Sequence, residues 1–318
     1  MRLTSVLFTC LFLQACASIP LNDAVYSLPP QRQLDVPFVA QQEYYCGPAA
    51  LAEIAQFWGL TVEQQSLAKQ LFIPGKKGSL AIEMQAAGRQ LGLLSYPLSK
   101  NLSAILSEVN AGNPVLVFQN LGFSWWPQWH YAVVVGYELG EEELILHSGS
   151  HENYRLSFKT FMATWARTNH WARVLTDSSR LPETAKPAQY IATANEFEQV
   201  GDLDLAMSFY ALAAEKWPNS KPVLTALANA ALTQGNTRRA VNLFSQILLT
   251  NPDDPALWNN YAFALLEENC RAEALVAISK AVSLAEDKSP YQQSREEILA
   301  SEPHQDKECT AAVMPREL

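Results

Sequence analysis

The sequence predicts an α+β domain followed by an all-α helical-repeat solenoid. Three observations predict it. Apolar residues at helical spacing dominate the chain up to about residue 111, β-branched runs of strand length follow to about 175, and from residue 187 onward the chain resembles itself at an offset of 34 residues. At 318 residues the chain is long enough for two cores.

The first segment reads as an export signal. Arg2 is a minimal positive region, Leu3 to Leu13 is an apolar stretch too short to span a bilayer, and Leu13, Gln14, Ala15, Cys16 are similar to a bacterial lipoprotein signal box. That similarity implies a signal peptide over 1–15, lipidation of Cys16 and a tether over 16–33. Several acyl chains on one residue would hold the chain to a membrane. Ala17 stands where many lipoproteins kept in the inner membrane have aspartate, so the expected location is the outer membrane, facing the periplasm.

The next segment, 34–176, carries the chemistry. Gln41 to Ala50 read QQEYYCGPAA, and Pro48 suits a first helical turn, where its missing N–H costs nothing, so Cys46 is placed at a helix start. Ala49, Leu51, Ala52, Ile54, Ala55 and Trp58 continue that helix to Gly59, a C-terminal glycine. A thiol at a helix N-terminus is expected to have a lowered pKa and to be nucleophilic. Gln41 offers a side-chain amide beside the Cys46 backbone amide, a way to build an oxyanion hole, with Gln42 as the competing candidate. Helices are predicted near 47–58, 62–71, 80–91 and 102–111.

Strands are predicted near 114–119, 130–138, 143–148 and 154–157, then a short helix at 158–166 and a strand at 171–175. His130 opens the run Tyr131, Ala132, Val133, Val134, Val135, Gly136, Tyr137, a rigid mount for a general base. Trp125, Trp126 and Trp129 lie on the loop entering that strand, where they either wall a cleft or cover the edge of the core.

The ordered set of glutamine, cysteine at a helix start and histidine at a strand start resembles the bacteriocin-processing (double-glycine leader) cysteine peptidases of the papain-like group, over about Leu34 to Leu175. The match extends to the helical segment Val62 to Leu71 and the Gly78, Ser79, Leu80 turn. It implies a papain-like α+β fold and peptide-bond hydrolysis by Cys46, His130 and Gln41. In that family an aspartate after the histidine orients it. Here the stretch reads Leu144, Ile145, Leu146, His147, Ser148, Gly149, so Ser148 stands at or beside that place, with His147, Glu152, Asn153 or a backbone carbonyl as alternative orienters. The related transporters use ATP; this chain has neither a glycine-rich lysine motif nor a predicted transmembrane helix, so ATP use is not implied.

A linker is predicted over 177–186, where Ser178, Ser179 and Pro182 break the periodicity. Beyond it Gly201 recurs as Gly235 and Asn269, Ala206 as Ala240 and Ala274, and Pro218 as Pro252. A 34-residue period is that of tetratricopeptide repeats, three of them over 187–288, starting at Pro187, Lys221 and Pro255. Tyr190, Leu224 and Trp258 fill the large early position and Ala194, Ala228 and Ala262 the small one. A capping helix is predicted over 289–302 and a flexible tail over 303–318. Stacked helix pairs leave a groove for a peptide or protein partner.

Composition narrows the rest. A formal net charge of −9 disfavours nucleic acid. Of five cysteines, Cys10 leaves with the signal, Cys16 takes lipid and Cys46 is the candidate nucleophile, so Cys270 and Cys309 are candidates for a disulfide. No metal site and no cofactor are expected, because His147 and His151 are separated by a turn and no zinc-type spacing occurs. The expected function is an envelope cysteine peptidase with a protein-binding repeat domain. The alternative is a weak or inactive peptidase-like scaffold.

Overall fold

A computed structural model describes residues 25, 27–71 and 78–301 of the chain. The elements run β1 (Gln31–Gln33), α1 (Cys46–Phe57), α2 (Gln64–Leu71), α3 (Ala81–Gln90), β2 (Leu94–Pro97), α4 (Leu102–Asn110), β3 (Val115–Asn120), β4 (Trp129–Glu138), β5 (Glu143–Ser148), β6 (His151–Ser157), α5 (Phe158–Ala166) and β7 (Ala172–Thr176). The strands form one seven-stranded sheet in the order β2-β7-β3-β4-β5-β6, with β1 paired to β4, and every pairing is antiparallel. This is the α+β architecture predicted.

The helix of the cysteine box is central. Residues Gly47 to Ala55 of α1 are all buried, which explains an apolar pattern with little sidedness. β4, the histidine strand, is buried from His130 to Tyr137 because it is flanked by β3 and β5 and covered by α1 and α4. A bulge between Val134 and Gly136 separates two pairing zones of this strand: β3 pairs with it from Trp129 to Val134, and β1 takes over from Gly136 to Glu138.

Two strands carry no readable sequence signal. β1 is the polar tripeptide Gln-Arg-Gln, fully exposed, and it is a strand only because β4 offers free backbone groups there. It falls within the stretch read as tether. β2 is four residues ending in proline, and it is set by pairing with β7. β6 also starts earlier than predicted: Gly149 and Ser150 form the tight hairpin turn, and His151 already belongs to the strand.

The second half is a helical-repeat array of α6 (Pro187–Gln199), α7 (Leu203–Lys216), α8 (Lys221–Thr233), α9 (Thr237–Thr250), α10 (Pro255–Glu267) and α11 (Arg271–Leu284), closed by α12 (Ser289–Ala300). The first helix of each pair starts where the period placed it. Tyr190, Leu224 and Trp258 are buried with Ala194, Ala228 and Ala262, so large and small residues interlock as the repeat pattern requires. Gly201, Gly235 and Asn269, the recurring inter-helix position, all have positive φ (89°, 73° and 65°), a conformation that favours glycine or asparagine.

The repeats do not hang on a loose linker. Glu108, fully buried on α4, accepts hydrogen bonds from the Glu183 and Thr184 amides (3.0 and 2.8 Å), the Thr184 hydroxyl (2.6 Å) and Asn113 Nδ2 (2.8 Å). Tyr96 on β2 accepts from the Lys186 amide and donates to Gln189 Oε1, both at 3.0 Å. The first repeat shares a continuous apolar core with the α+β domain, whereas Phe244, Trp258, Tyr261 and Ile278 belong to a second cluster. Cys270, buried at the start of α11, is disulfide-bonded; Cys309, the partner expected from the sequence, lies outside the described residues, as do Cys16 and the signal segment.

Candidate active site

Cys46 is the first residue of α1, with Tyr45 as its cap. Gly47 lets the helix start approach its neighbours: a Cβ there would lie 2.9 Å from Met84 Sδ and 3.0 Å from Ser79 Oγ. The helix tip thus packs under the 78–80 turn. Across from it, Cys46, Gln41, Ser79, Leu80, Trp129 and His130 line one cleft of about 960 Å³.

His130, 9% exposed, places its Nε2 2.9 Å from Ser148 Oγ. Strand alternation decides this contact. Side chains on β5 point to opposite faces in turn, so Ser148 faces His130 while His147 faces the other way, toward Glu53 and Phe38. The alternative orienters do not meet it. His147 is buried with its Nδ1 3.5 Å from Glu53 Oε2, longer than a good hydrogen bond, and Nδ1 has no hydrogen-bond partner among the described residues. Asn153 is exposed and accepts from Gln33 Nε2 at 2.9 Å; Glu152 is exposed.

Of the two glutamines, Gln41 lines the cleft. Its amide donates to the Gly149 carbonyl (3.0 Å), and its side chain lies beside Gly149, where a Cβ would sit 3.7 Å from Gln41 Cδ and 4.0 Å from His130 Cε1. Gln42 is exposed, and its amide is held by Gln64 Oε1.

The electrostatics depart from the expectation of a lowered thiol. Burial pushes the Cys46 thiol up from its ordinary value; the amides of Tyr131, Gly47 and Cys46 itself favour the thiolate but are outweighed. Burial likewise pushes His130 down to about 4, and the Ser148 hydroxyl beside it carries no charge. The helix start helps the thiolate, yet desolvation wins. Both shifts favour the neutral thiol and imidazole over thiolate and imidazolium.

The tryptophans do not cover the core. Trp125, Trp126 and Trp129 are 76%, 65% and 54% exposed, and Trp129 stacks on Phe118 at 5.6 Å as it walls the cleft. Phe123 N and O pair with Trp126 O and N (3.1 Å each), so this loop is a small ordered hairpin. Ser79 Oγ and Gln41 Oε1 are buried without a hydrogen-bond partner among the described residues. No cluster of metal-ligating side chains occurs among the described residues, and no described helix is long and apolar enough to cross a membrane.

Two neighbours of the site went unread in the sequence, Glu53 and Gln64, both buried. Glu53 had a signal: it is the one charged residue of its helix, seven positions after the cysteine.

Residues 33–172 match the family described as Peptidase_C39 like, and residues 199–262 and 231–298 match tetratricopeptide repeats. No curated protein matches the chain. Among solved structures, a putative C39-like peptidase from Bacillus anthracis is 18% identical, covers 46% of this chain and 98% of its own, and has a TM-score of 0.38. The peptidase domain of Streptococcus ComA, a bifunctional ABC transporter, is 23% identical over 44% of this chain and 96% of its own, with a TM-score of 0.35. A double-glycine-motif protease from an AMS/PCAT transporter, solved with a leader peptide, is 15% identical over 45% and 93%, with a TM-score of 0.35. With a cysteine at a helix start, a histidine on the facing strand and an array of 34-residue helix pairs behind them, the chain joins a segment that matches the C39-like peptidase family to one that matches tetratricopeptide repeats.

Proposed function

We propose that the chain is a cysteine peptidase of the bacterial envelope, anchored by lipid at Cys16 and facing the periplasm from the outer membrane. The observation that carries the enzymatic reading is the His130 Nε2 to Ser148 Oγ contact of 2.9 Å, which leaves Nδ1 for the thiol in the cleft that His130 shares with Cys46 and Gln41. With Nε2–H donated to Ser148, Nδ1 takes the Cys46 proton as sulfur attacks a peptide carbonyl. The oxyanion is held by Gln41 Nε2 and the Cys46 amide, the protonated imidazole delivers its proton to the leaving amine, and water then releases the acyl group. The exposed wall of Trp129, Tyr44 and Leu80 favours peptides with apolar side chains beside the scissile bond.

The repeats are the docking module for a protein partner or for the substrate. A groove of about 450 Å³ is lined by Ile191, Asn195, Lys221, Thr225, Ala226 and Asn229, and Thr225 Oγ1 is buried there with no hydrogen-bond partner among the described residues. Cys270 is disulfide-bonded, and pairing with Cys309 would tie the tail to the third repeat.

One observation favours the second reading, a weakly active scaffold: burial disfavours the charged forms of both Cys46 and His130, and the group beside His130 is the neutral Ser148. A peptide electrophile directed at thiols separates the two. Labelling of Cys46 that is lost in Cys46→Ala and strongly slowed in His130→Ala supports the peptidase. Labelling no faster than that of an unassisted thiol and indifferent to His130→Ala leaves only the scaffold.

A further inference from the structure

The segment carrying Gln41 is tied down at every step. The Val39 amide donates to Glu53 Oε1 (3.0 Å), the Ala40 carbonyl accepts from Gln64 Nε2 (2.9 Å), the Gln41 amide donates to the Gly149 carbonyl (3.0 Å), and the Gln42 amide donates to Gln64 Oε1 (3.1 Å). Two buried side chains, Glu53 and Gln64, supply three of these four bonds.

We propose that Glu53 is a positioning residue of the active site, its buried carboxylate joining the nucleophile helix, the Gln41 segment and the strand of Ser148. Glu53 lies seven residues after Cys46, so it projects from the same face of α1 about two turns further along. One carboxylate oxygen holds Val39, two residues before Gln41. The other lies 3.5 Å from Nδ1 of His147, the residue before Ser148. His147 is in register with Val133 on β4, three residues from His130, so the same contact also braces the histidine strand. The elements bearing Cys46, Gln41 and Ser148 therefore meet at one side chain that does not line the cleft itself.

Energetics argue for a role beyond filling space. Glu53 is 3% exposed in a helix whose other buried residues are small or apolar, and desolvation raises its carboxyl. A buried ionisable pair is often no more stabilising than apolar residues of the same volume, so stability alone is a weak reason for one here. Geometry is the stronger reason: a leucine would fill the space but would leave the Val39 amide and His147 without a common partner. An oxyanion donor displaced by a fraction of an ångström loses much of its effect.

The inference rests on the peptidase reading, and the experiment separates the two. Wild type and His130→Ala are compared first with the peptide electrophile; equal labelling overturns the peptidase reading whatever Glu53 does. Glu53→Leu and Glu53→Gln are then compared by amide hydrogen exchange at Gln41 and by hydrolysis of an apolar peptide ester. For Glu53→Leu the expected result is exchange at Gln41 at least about tenfold faster and a kcat lower by about tenfold with KM within about twofold, as for lost transition-state stabilisation. Glu53→Gln keeps an acceptor for Val39 and is expected to restore both to within about threefold. If Glu53→Leu does not fold, Val39→Pro, which deletes the donor and leaves Glu53 in place, is read the same way. A variant that melts earlier while Gln41 exchange and kcat stay at wild-type values overturns the positioning role and leaves Glu53 structural.

Discussion

His130 meets a hydroxyl on the neighbouring strand: its Nε2 lies 2.9 Å from Ser148 Oγ. A serine can orient the imidazole, since its hydroxyl can accept an Nε2–H, but it cannot stabilise the imidazolium as an anion does. The depressed His130 and the raised Cys46 both follow from burial.

Ser148→Asp is expected to convert the neutral pair toward an ion pair. A carboxylate within hydrogen-bond reach raises a histidine pKa by about 1–3 units, so Cys46 alkylation by iodoacetamide at pH 7 should accelerate by about tenfold or more. Ser148→Ala removes one neutral hydrogen bond worth about 1 kcal/mol and should slow His130-dependent labelling about fivefold. A Ser148→Asp protein no more reactive than wild type refutes this account of the serine.

The pH profile of the wild-type thiol follows from the same two shifts. With the Cys46 thiol raised and His130 neutral above about 4, the thiolate forms only as pH climbs toward the raised thiol value. The alkylation rate is expected to rise by about tenfold per pH unit between pH 6 and 8. A plateau across that range, measured by stopped alkylation and mass spectrometry, would instead reveal an ion pair.

Stability should respond to His130 in acid. Its folded value, about 4, lies below the unfolded value of 6.5, so the unfolded chain binds the proton first as pH falls. Stability contributed by the neutral form is present above pH 6.5 and is lost between 6.5 and about 4, to the extent of about 3 kcal/mol. Urea unfolding at pH 7 and pH 4.5 should show a smaller acid loss in His130→Gln than in wild type; equal losses would mean that His130 is readily protonated in the native state.

Glu108 should couple the two domains. Glu108→Ala strands the amides of Glu183 and Thr184 and is expected to cost about 3 kcal/mol or more, because several buried donors lose their acceptor together. The peptidase and first-repeat transitions, followed by Trp fluorescence and circular dichroism, should coincide in wild type and separate in the variant. Coincident transitions with an unchanged midpoint would show that the strap does not matter.

The sequence by itself determined the two architectures, because both rest on periodicity. A 34-residue recurrence of large and small residues specifies helix pairs whatever their surroundings, and eight small or apolar positions flanking Glu53 specify a buried helix starting at Cys46. It also determined Cys46, His130 and Gln41 as residues brought to one cleft. It left open which group faces His130, since Ser148, His147, Glu152 and Asn153 lie within six residues, and β5 alternation, which depends on register against β4, was needed to choose. Only the tertiary structure decided that the Cys46 thiol is raised rather than lowered, because burial depends on what packs over the helix tip and outweighs the helix N-terminus. The tertiary structure likewise decided that Glu53 and Glu108, widely separated in the chain from the groups they hold, join elements that no local pattern relates. Local periodicity records which face of an element is buried; which polar side chains meet across that burial is a property of long-range pairing.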